Sequence, residues 1–290
     1  MSTFRQRLIH LHSSTYLSWK QLRDIQQEDP TLLKIYETSS NHLMKQITIK
    51  KEKAEKLRFY LDDSDPVEYE KQLQSNKVMV MTKFDESYPK QLLELYDPPW
   101  VIYYRGNLEL LKSSKQLAIV GTRTPTNRGV RAVACMVEEL VRAQFTIISG
   151  LAVGIDACAH QQAISNKGQT IAVLGSGFDF PYPSSNKGLY SYMCRHQLVL
   201  SEYPPHHPPK KWTFPARNRI ISGLARGVLV IEAKTRSGSL ITADQALDQN
   251  RDIFAVPGPF DCEWSKGTNL LIQQGAKLTI SAQDILEEWT

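Results

Sequence analysis

The densest group of side chains able to grip an anion is Phe214-Pro215-Ala216-Arg217-Asn218-Arg219, where two arginines flank an asparagine behind an aromatic ring. Guanidinium forks pair with phosphodiester oxygens through two parallel hydrogen bonds, a geometry an ammonium cannot match. Lys210, Lys211, Trp212 and Tyr203 lie close by in the chain, and Phe178, Phe180 and Tyr182 come a little earlier. Rings interleaved with cations suit an unpaired nucleic-acid strand better than a duplex, because each base stacked on a ring contributes about 1–3 kcal/mol. For Trp212 or Phe214 taken singly, core packing explains the residue equally well.

A second set of residues has the chemistry of a phosphate cradle. Gly121-Thr122-Arg123, Ser149-Gly150 running on to Gly154, and Gly175-Ser176-Gly177 each follow a short apolar run, and Ser201-Glu202 and Glu232 follow two more. Glycine lets backbone N–H groups approach a phosphate, and a following helix N-terminus adds partial positive charge. One such loop is more simply a tight turn; three together point to a phosphate-lined crevice. Ser237-Gly238-Ser239 offers hydroxyls and free N–H groups at a further helix start, or is an ordinary serine-capped helix.

The first loop lacks the G-x-G-x-x-G of a dinucleotide site, and no G-x-x-x-x-G-K-[ST] string occurs, so neither nicotinamide chemistry nor nucleotide triphosphate hydrolysis is supported and no cofactor is expected. Asp156 and His160 are spaced i, i+4 and invite a catalytic reading, but a capping aspartate and a satisfied histidine explain them more simply. Cys135, Cys158, Cys194 and Cys262 are far apart, which suggests reduced, buried thiols rather than a zinc cluster or disulfides. No acidic metal cluster is visible, which argues against nuclease activity.

The elements that must position these groups can be read from periodicity. From Leu117 onward short β-branched runs alternate with helical stretches, the pattern of a mainly parallel sheet wrapped by helices. Strands are expected at 117–120, 145–148, 170–174, 198–200, 228–231, 253–256 and 278–280, and their continuous apolar character suits burial on both faces. Val130, Val133, Val137, Leu140 and Val141 recur at helical spacing, and helices are expected near Leu240–Leu247 and Leu270–Ile272. All 15 glycines lie between Gly106 and Gly275, which sets the first 105 residues apart. There, Asp29-Pro30 reads as a capped helix start and Thr48 as another. The expected organisation is a small all-helical module over 1–73, a connecting segment over 74–114 that holds short β-like runs at Val78–Met81 and Trp100–Tyr104 and packs on the core, and a Rossmann-like α/β domain over 115–290.

Length and composition set the outer limits. The 290 residues carry 41% hydrophobic and 22% charged side chains, enough for a core and unlike a disordered or fibrous chain. No window approaches the ~18 apolar residues of a membrane span, and the N-terminus is no signal peptide, so a cytoplasmic protein without membrane insertion is expected. The net charge of +5 is unevenly shared: residues 115–238 hold 15 Lys and Arg against 6 Asp and Glu, while 239–290 hold 3 against 8. The first stretch is a candidate polyanion surface, and the second is not.

The strings Ala118-Ile119-Val120-Gly121-Thr122-Arg123, Ser149-Gly150-Leu151-Ala152 through Gly154-Ile155-Asp156 with His160, Ile171-Ala172-Val173-Leu174-Gly175 to Gly177, Phe214-Pro215-Ala216-Arg217-Asn218-Arg219-Ile220-Ile221, and Arg236-Ser237-Gly238-Ser239 resemble the bacterial DNA-processing protein A family, DprA or Smf. The resemblance runs from about Val78 to Leu286. It implies an extended Rossmann fold that binds single-stranded DNA, forms homodimers, and helps load the RecA recombinase onto strands entering the cell during natural transformation. It implies phosphate contacts from Arg123, Arg217 and Arg219. Members often carry a lysine directly after a Tyr-Pro loop; Ser184 stands there, which leaves Lys187 to take the cationic role or the loop to bind more weakly. The resemblance also places dimer-facing and recombinase-facing surfaces around Leu247, Asp248, Asp252, Leu270 and Ile272. Many members end in a winged-helix domain, which is not expected here, and a SAM-like module fits the glycine-free N-terminal helices better than a DNA-gripping hairpin.

Two functions of different class remain. The first is a non-enzymatic single-strand DNA binder and recombination mediator. The second is a nucleoside-monophosphate phosphoribohydrolase, in which Glu202 or Glu232 would work beside Arg217. The chain lacks that family's Pro-Gly-Gly-x-Gly-Thr string.

Overall fold

The computed structural model describes residues 2–289. Six helices lead the chain: α1 (Phe4–Ser13), α2 (Trp19–Glu28), α3 (Lys34–Glu37), α4 (Ser40–Gln46), α5 (Lys51–Asp63) and α6 (Pro66–Ser75). Capping boxes start the first two, Thr3 with Gln6 and Ser18 with Gln21, each satisfying two orphan N–H groups. Asp29 does not open a helix at Pro30. Its carboxylate accepts from the N–H groups of Thr31 at 3.0 Å and Lys34 at 2.7 Å, which closes the turn into α3. Thr48 sits at φ +48°, outside the extended region an N-cap requires, and α5 begins at Lys51.

The rest of the chain runs β1 (Met79–Thr82), α7 (Lys90–Leu93), β2 (Val101–Gly106), β3 (Gln116–Val120), α8 (Asn127–Arg142), β4 (Thr146–Ser149), α9 (Ile155–Ser165), β5 (Gln169–Leu174), α10 (Lys187–His196), β6 (Leu198–Ser201), α11 (Thr213–Leu224), β7 (Gly227–Val230), α12 (Gly238–Asp248), β8 (Asp252–Ala255), α13 (Lys266–Gln273), β9 (Lys277–Leu278) and α14 (Gln283–Glu288). One nine-stranded sheet has the order β1-β2-β6-β5-β4-β3-β7-β8-β9. Every pair from β6 to β9 is parallel, and β2 joins antiparallel to β6 with β1 antiparallel beyond it. The fold is therefore an extended Rossmann-like α/β fold with a mainly parallel sheet, preceded by helices. The segment 74–114 supplies the two antiparallel strands, so it is hydrogen-bonded into the sheet as well as packed on it.

The central strands β3, β4 and β7 are buried along their whole length, as their β-branched runs require. One face carries Val133, Met136, Val137 and Leu140 of α8 with Ile155, Ala159 and Ala163 of α9. The opposite face carries Leu92, Ile220, Ile221, Leu224, Ala243 and Ala246. The N-terminal helices share a third cluster with Trp100, Tyr103, Phe178 and Met193, so they are fixed to the sheet by apolar contact. None of the four free thiols is fully buried as expected: Cys158, Cys194 and Cys262 are half-buried, and Cys135 is exposed because it falls outside the inward stripe of α8.

Candidate nucleic-acid interface

The chain leaves β3 for β4, β5 and β6 on one side and then crosses back to β7 on the other, which makes the β3–β7 pair the topological switch point. Loops leaving the C-terminal ends of such a pair diverge and open a crevice. Here they enclose a trough of about 570 Å³. The Thr122 N–H donates to the Glu232 carbonyl at 2.8 Å, which ties the two loops together at its floor. Gly121 has no room for a side chain, since a Cβ would lie 2.6 Å from Ile155.

Of the residues singled out in the sequence, Gly121, Thr122, Arg123, Phe214, Arg217, Asn218, Ser237, Gly238 and Ser239 line this trough. Gly150 and Gly175 lie directly behind it. A Cβ on Gly150 would sit 2.6 Å from the Arg217 guanidinium carbon, and one on Gly175 would sit 2.7 Å from the Phe214 ring. Ser149 is spent inside the sheet, its hydroxyl donating to the Ile119 carbonyl at 2.6 Å. Gly177 donates its N–H to the His207 carbonyl at 2.8 Å, and Lys187 is exposed at the start of α10; both are outside the trough.

Arg217 and Arg219 part company. Two helical residues apart means about 200° around the axis, so both cannot face one ligand. Arg217 is buried beneath the trough, donating to the carbonyls of Gly150 at 2.7 Å and Val173, with its Nε on the Asn218 side-chain oxygen at 3.0 Å. Burial pushes its pKa down to about 10, opposed by the Asp156 carboxylate, so it stays charged at neutral pH. Asp156 lines the trough and accepts from the N–H groups of Gly150 at 3.1 Å and Ala152 at 3.4 Å, and burial raises its pKa against the pull of Arg217. Arg219 instead faces away, paired with Glu202 at 2.7 Å and Asp97 at 3.1 Å, and those carboxylates hold its pKa above the ordinary value.

The rim is cationic. Arg123, Lys211 and Arg236 are exposed and join no salt bridge among the described residues, while Lys234 pairs with Glu263 at 2.9 Å. The Arg123 guanidinium lies 5.7 Å from the Phe214 ring centre, and Tyr182 is 5.4 Å from the same ring. Tyr182 and Phe180 are exposed, whereas Phe178 and Tyr203 belong to the core. The α12 N-terminus opens into the trough with no side-chain cap, and the Ser237 hydroxyl is buried without a partner. Lys234 was not singled out from the sequence; its position just beyond β7, at the end of a central parallel strand, is the signal that marks it.

Neither glutamate considered for hydrolysis lines the trough. Glu232 holds Thr126, the N-cap of α8, accepting from its N–H at 2.9 Å and its hydroxyl, and Gly129 leaves room for that carboxylate. Glu202 is taken by Arg219. His160 is buried with Nδ1 2.6 Å from the Thr170 hydroxyl, and burial pushes its pKa down to about 3, so it is a neutral core histidine. No group of three or more His, Cys, Asp or Glu able to hold a metal occurs among the described residues.

In the C-terminal third, Leu247 is 69% exposed on α12, and Leu270 on α13 and Ile280 beyond β9 are also exposed. Ile272 packs partly against the sheet, and Asp252 accepts from the Trp289 indole. Asp248 lines a different cavity, between the N-terminal helices and the far side of α11 and α12. No helix among the described residues is long and apolar enough to cross a membrane.

The sequence matches the family described as DNA recombination-mediator protein A over residues 79–290. It is 50% identical over 205 residues to the DNA processing protein DprA of Streptococcus pneumoniae, covering 71% of this chain and 72% of that one. The X-ray structure of DprA from the same species superposes with a TM-score of 0.85 over 100% of this chain and 99% of that one, at 38% identity. A structure from Helicobacter pylori, described as showing the single-stranded DNA binding mode of DNA processing protein A, aligns with 73% of this chain and 95% of that chain, at a TM-score of 0.67 and 30% identity. The chain belongs to the DNA recombination-mediator protein A family, the DprA/Smf DNA-processing proteins.

Proposed function

We propose that the trough binds the sugar-phosphate backbone of single-stranded DNA and that the protein acts, without catalysis, as a recombination mediator. The observation that carries this reading is the rim of unpaired cations, Arg123, Lys211 and Arg236, set around a charged Arg217 and an open helix N-terminus. Phosphates would meet Arg123, Lys211, Arg236 and the N–H groups of Gly238 and Ser239, while Phe214 and Tyr182 offer faces to bases. The Helicobacter pylori relative, named for its single-strand binding, supports the choice of strand. Engagement of Glu202 and Glu232 elsewhere argues against glycosidic hydrolysis.

Family membership supports two finer assignments, loading of a RecA-class recombinase in the cytoplasm during natural transformation, and homodimer formation through the acidic C-terminal third. Exposed Leu247, Leu270 and Ile280 are the apolar material for such contacts. Anisotropy of labelled oligothymidine tests the primary reading. Binding tighter than to duplex, with log affinity falling against log salt at about −0.7 per phosphate neutralised, is expected. Equal affinity for single strand and duplex would overturn it.

A further inference from the structure

A second cavity, of about 1060 Å³, lies between the N-terminal helices and the far side of α11 and α12. The two helices wall both sites. Phe214, Asn218 and Ile221 form the trough face of α11, and Trp212, Ala216 and Arg219, at spacings of four and three, form the cleft face. On α12 the first turns face the trough, and Gln245, Asp248 and Gln249 face the cleft. Lys211 and Trp212, adjacent in sequence, stand on opposite sides of this divide.

The walls of the cleft are aromatic: Tyr16, Trp19 and Trp100 from one side, Tyr203 and Trp212 from the other. Tyr203 stacks on His207 at 4.8 Å, while Trp212 is 57% exposed and has Lys210 5.9 Å from its ring centre. Formal charges nearly cancel, since Arg219 holds Glu202 and Asp97 and Arg251 holds Glu94. Four buried polar atoms on lining residues have no hydrogen-bond partner: His207 Nδ1, Arg219 Nη1, Gln245 Oε1 and Gln249 Oε1. Each glutamine spends its amide N–H on a backbone carbonyl, Pro215 or Arg219, at 3.1 Å, which leaves the oxygen as the free end. Aromatic faces with four unpartnered polar atoms buried in the wall behind them, and no net positive field, suit a heteroaromatic ring and not a phosphate.

From this we infer that the cleft is a nucleobase subsite, filled by an unpaired base of the strand held in the trough as it passes over the Lys211–Trp212 divide. The inference rests on the proposed strand-binding function and extends it. The same chemistry would admit a base from a free nucleotide, and the test separates the two sources.

Oligothymidine carrying one 5-iodouracil at successive positions is bound to the full chain, irradiated, and the crosslinked aromatic residue identified by mass spectrometry. One register is expected to reach Tyr182 or Phe214, and a register displaced along the strand to reach Trp212 or Tyr16. Trp212→Ala should abolish the second crosslink and weaken a long oligonucleotide about tenfold, leaving one short enough to fill only the trough unaffected, and Trp212→Phe should restore binding. Circular dichroism confirms that each variant is folded. Trough crosslinks alone, with unchanged affinity in Trp212→Ala, would overturn the subsite and leave the function standing. Cleft crosslinks with 5-iododeoxyuridine monophosphate alone, and none with the strand, would overturn the strand as its source. Absence of trough crosslinks at any register would count against the function itself.

Discussion

Arg217→Ala probes the buried charge under the trough. In the native chain Arg217 is 5% exposed, its guanidinium bonded to the Gly150 and Val173 carbonyls and facing Asp156. Its removal leaves Asp156 buried without a countercharge, beside the N–H groups of Gly150 and Ala152 and the Ser149 hydroxyl, and an uncompensated buried charge costs about 3–5 kcal/mol. The penalty must depend on pH. Burial already raises the Asp156 pKa, and losing Arg217, the strongest group holding it down, raises it further. A carboxyl whose folded pKa lies above its unfolded one favours the folded state at low pH, and that contribution is lost as pH rises through the folded value. The stability difference between native and variant chains, from urea unfolding, should therefore be larger at pH 8 than at pH 5. Arg123→Ala, at an exposed site that joins no salt bridge among the described residues, should change stability by less than about 0.5 kcal/mol, yet both variants should lose strand affinity. A loss for Arg217→Ala that is small, or equal at the two pH values, would refute the buried-pair argument.

Other outcomes follow from the same geometry. Burial pushes His10 and His12 to about 4 and His160 to about 3, below their unfolded value, so stability present above pH 6.5 should be lost as pH falls, by about 2 kcal/mol per histidine at pH 5; an unchanged urea midpoint between pH 7 and 5 would contradict this. Gly150→Ala should displace the Arg217 guanidinium and reduce both strand affinity and thermal stability, measured by anisotropy and melting, whereas native-like values would show that the close approach is unimportant. Lys187→Ala, outside the trough, should shift Kd less than about twofold while Lys211→Ala weakens binding by about 1 kcal/mol or more, and the reverse order would misplace the rim. Ile280→Glu should move any homodimer to monomer in sedimentation if the C-terminal third is the contact, and an unaltered mass would exclude it.

The strands were legible because parallel strands buried on both faces read as continuous β-branched runs, as at Leu117–Val120 and Val228–Ile231. The loops at their ends were legible as a set, and Gly121, Thr122, Arg123, Ser237, Gly238 and Ser239 from them meet in the trough, while Gly150 and Gly175 back it. Direction was harder. Arg-Asn-Arg looks like one cationic unit in a string, but helical rotation sends Arg219 to two carboxylates that are distant in sequence, Asp97 and Glu202. Ser149 looks like a free hydroxyl until the parallel neighbour brings the Ile119 carbonyl to it. The strands β1 and β2 were legible as β-like runs at Val78–Met81 and Trp100–Tyr104, but their antiparallel place in the sheet was hidden, because β6, the partner of β2, lies far along the chain.

The salt dependence of oligothymidine binding tests the central claim most directly, comparing the native chain with Arg123→Ala, Lys211→Ala and Arg236→Ala. If each cation neutralises a backbone phosphate in the trough, each substitution should flatten the log–log slope by about 0.7 as affinity drops. Slopes that stay the same in all three variants would place the strand somewhere else on the protein.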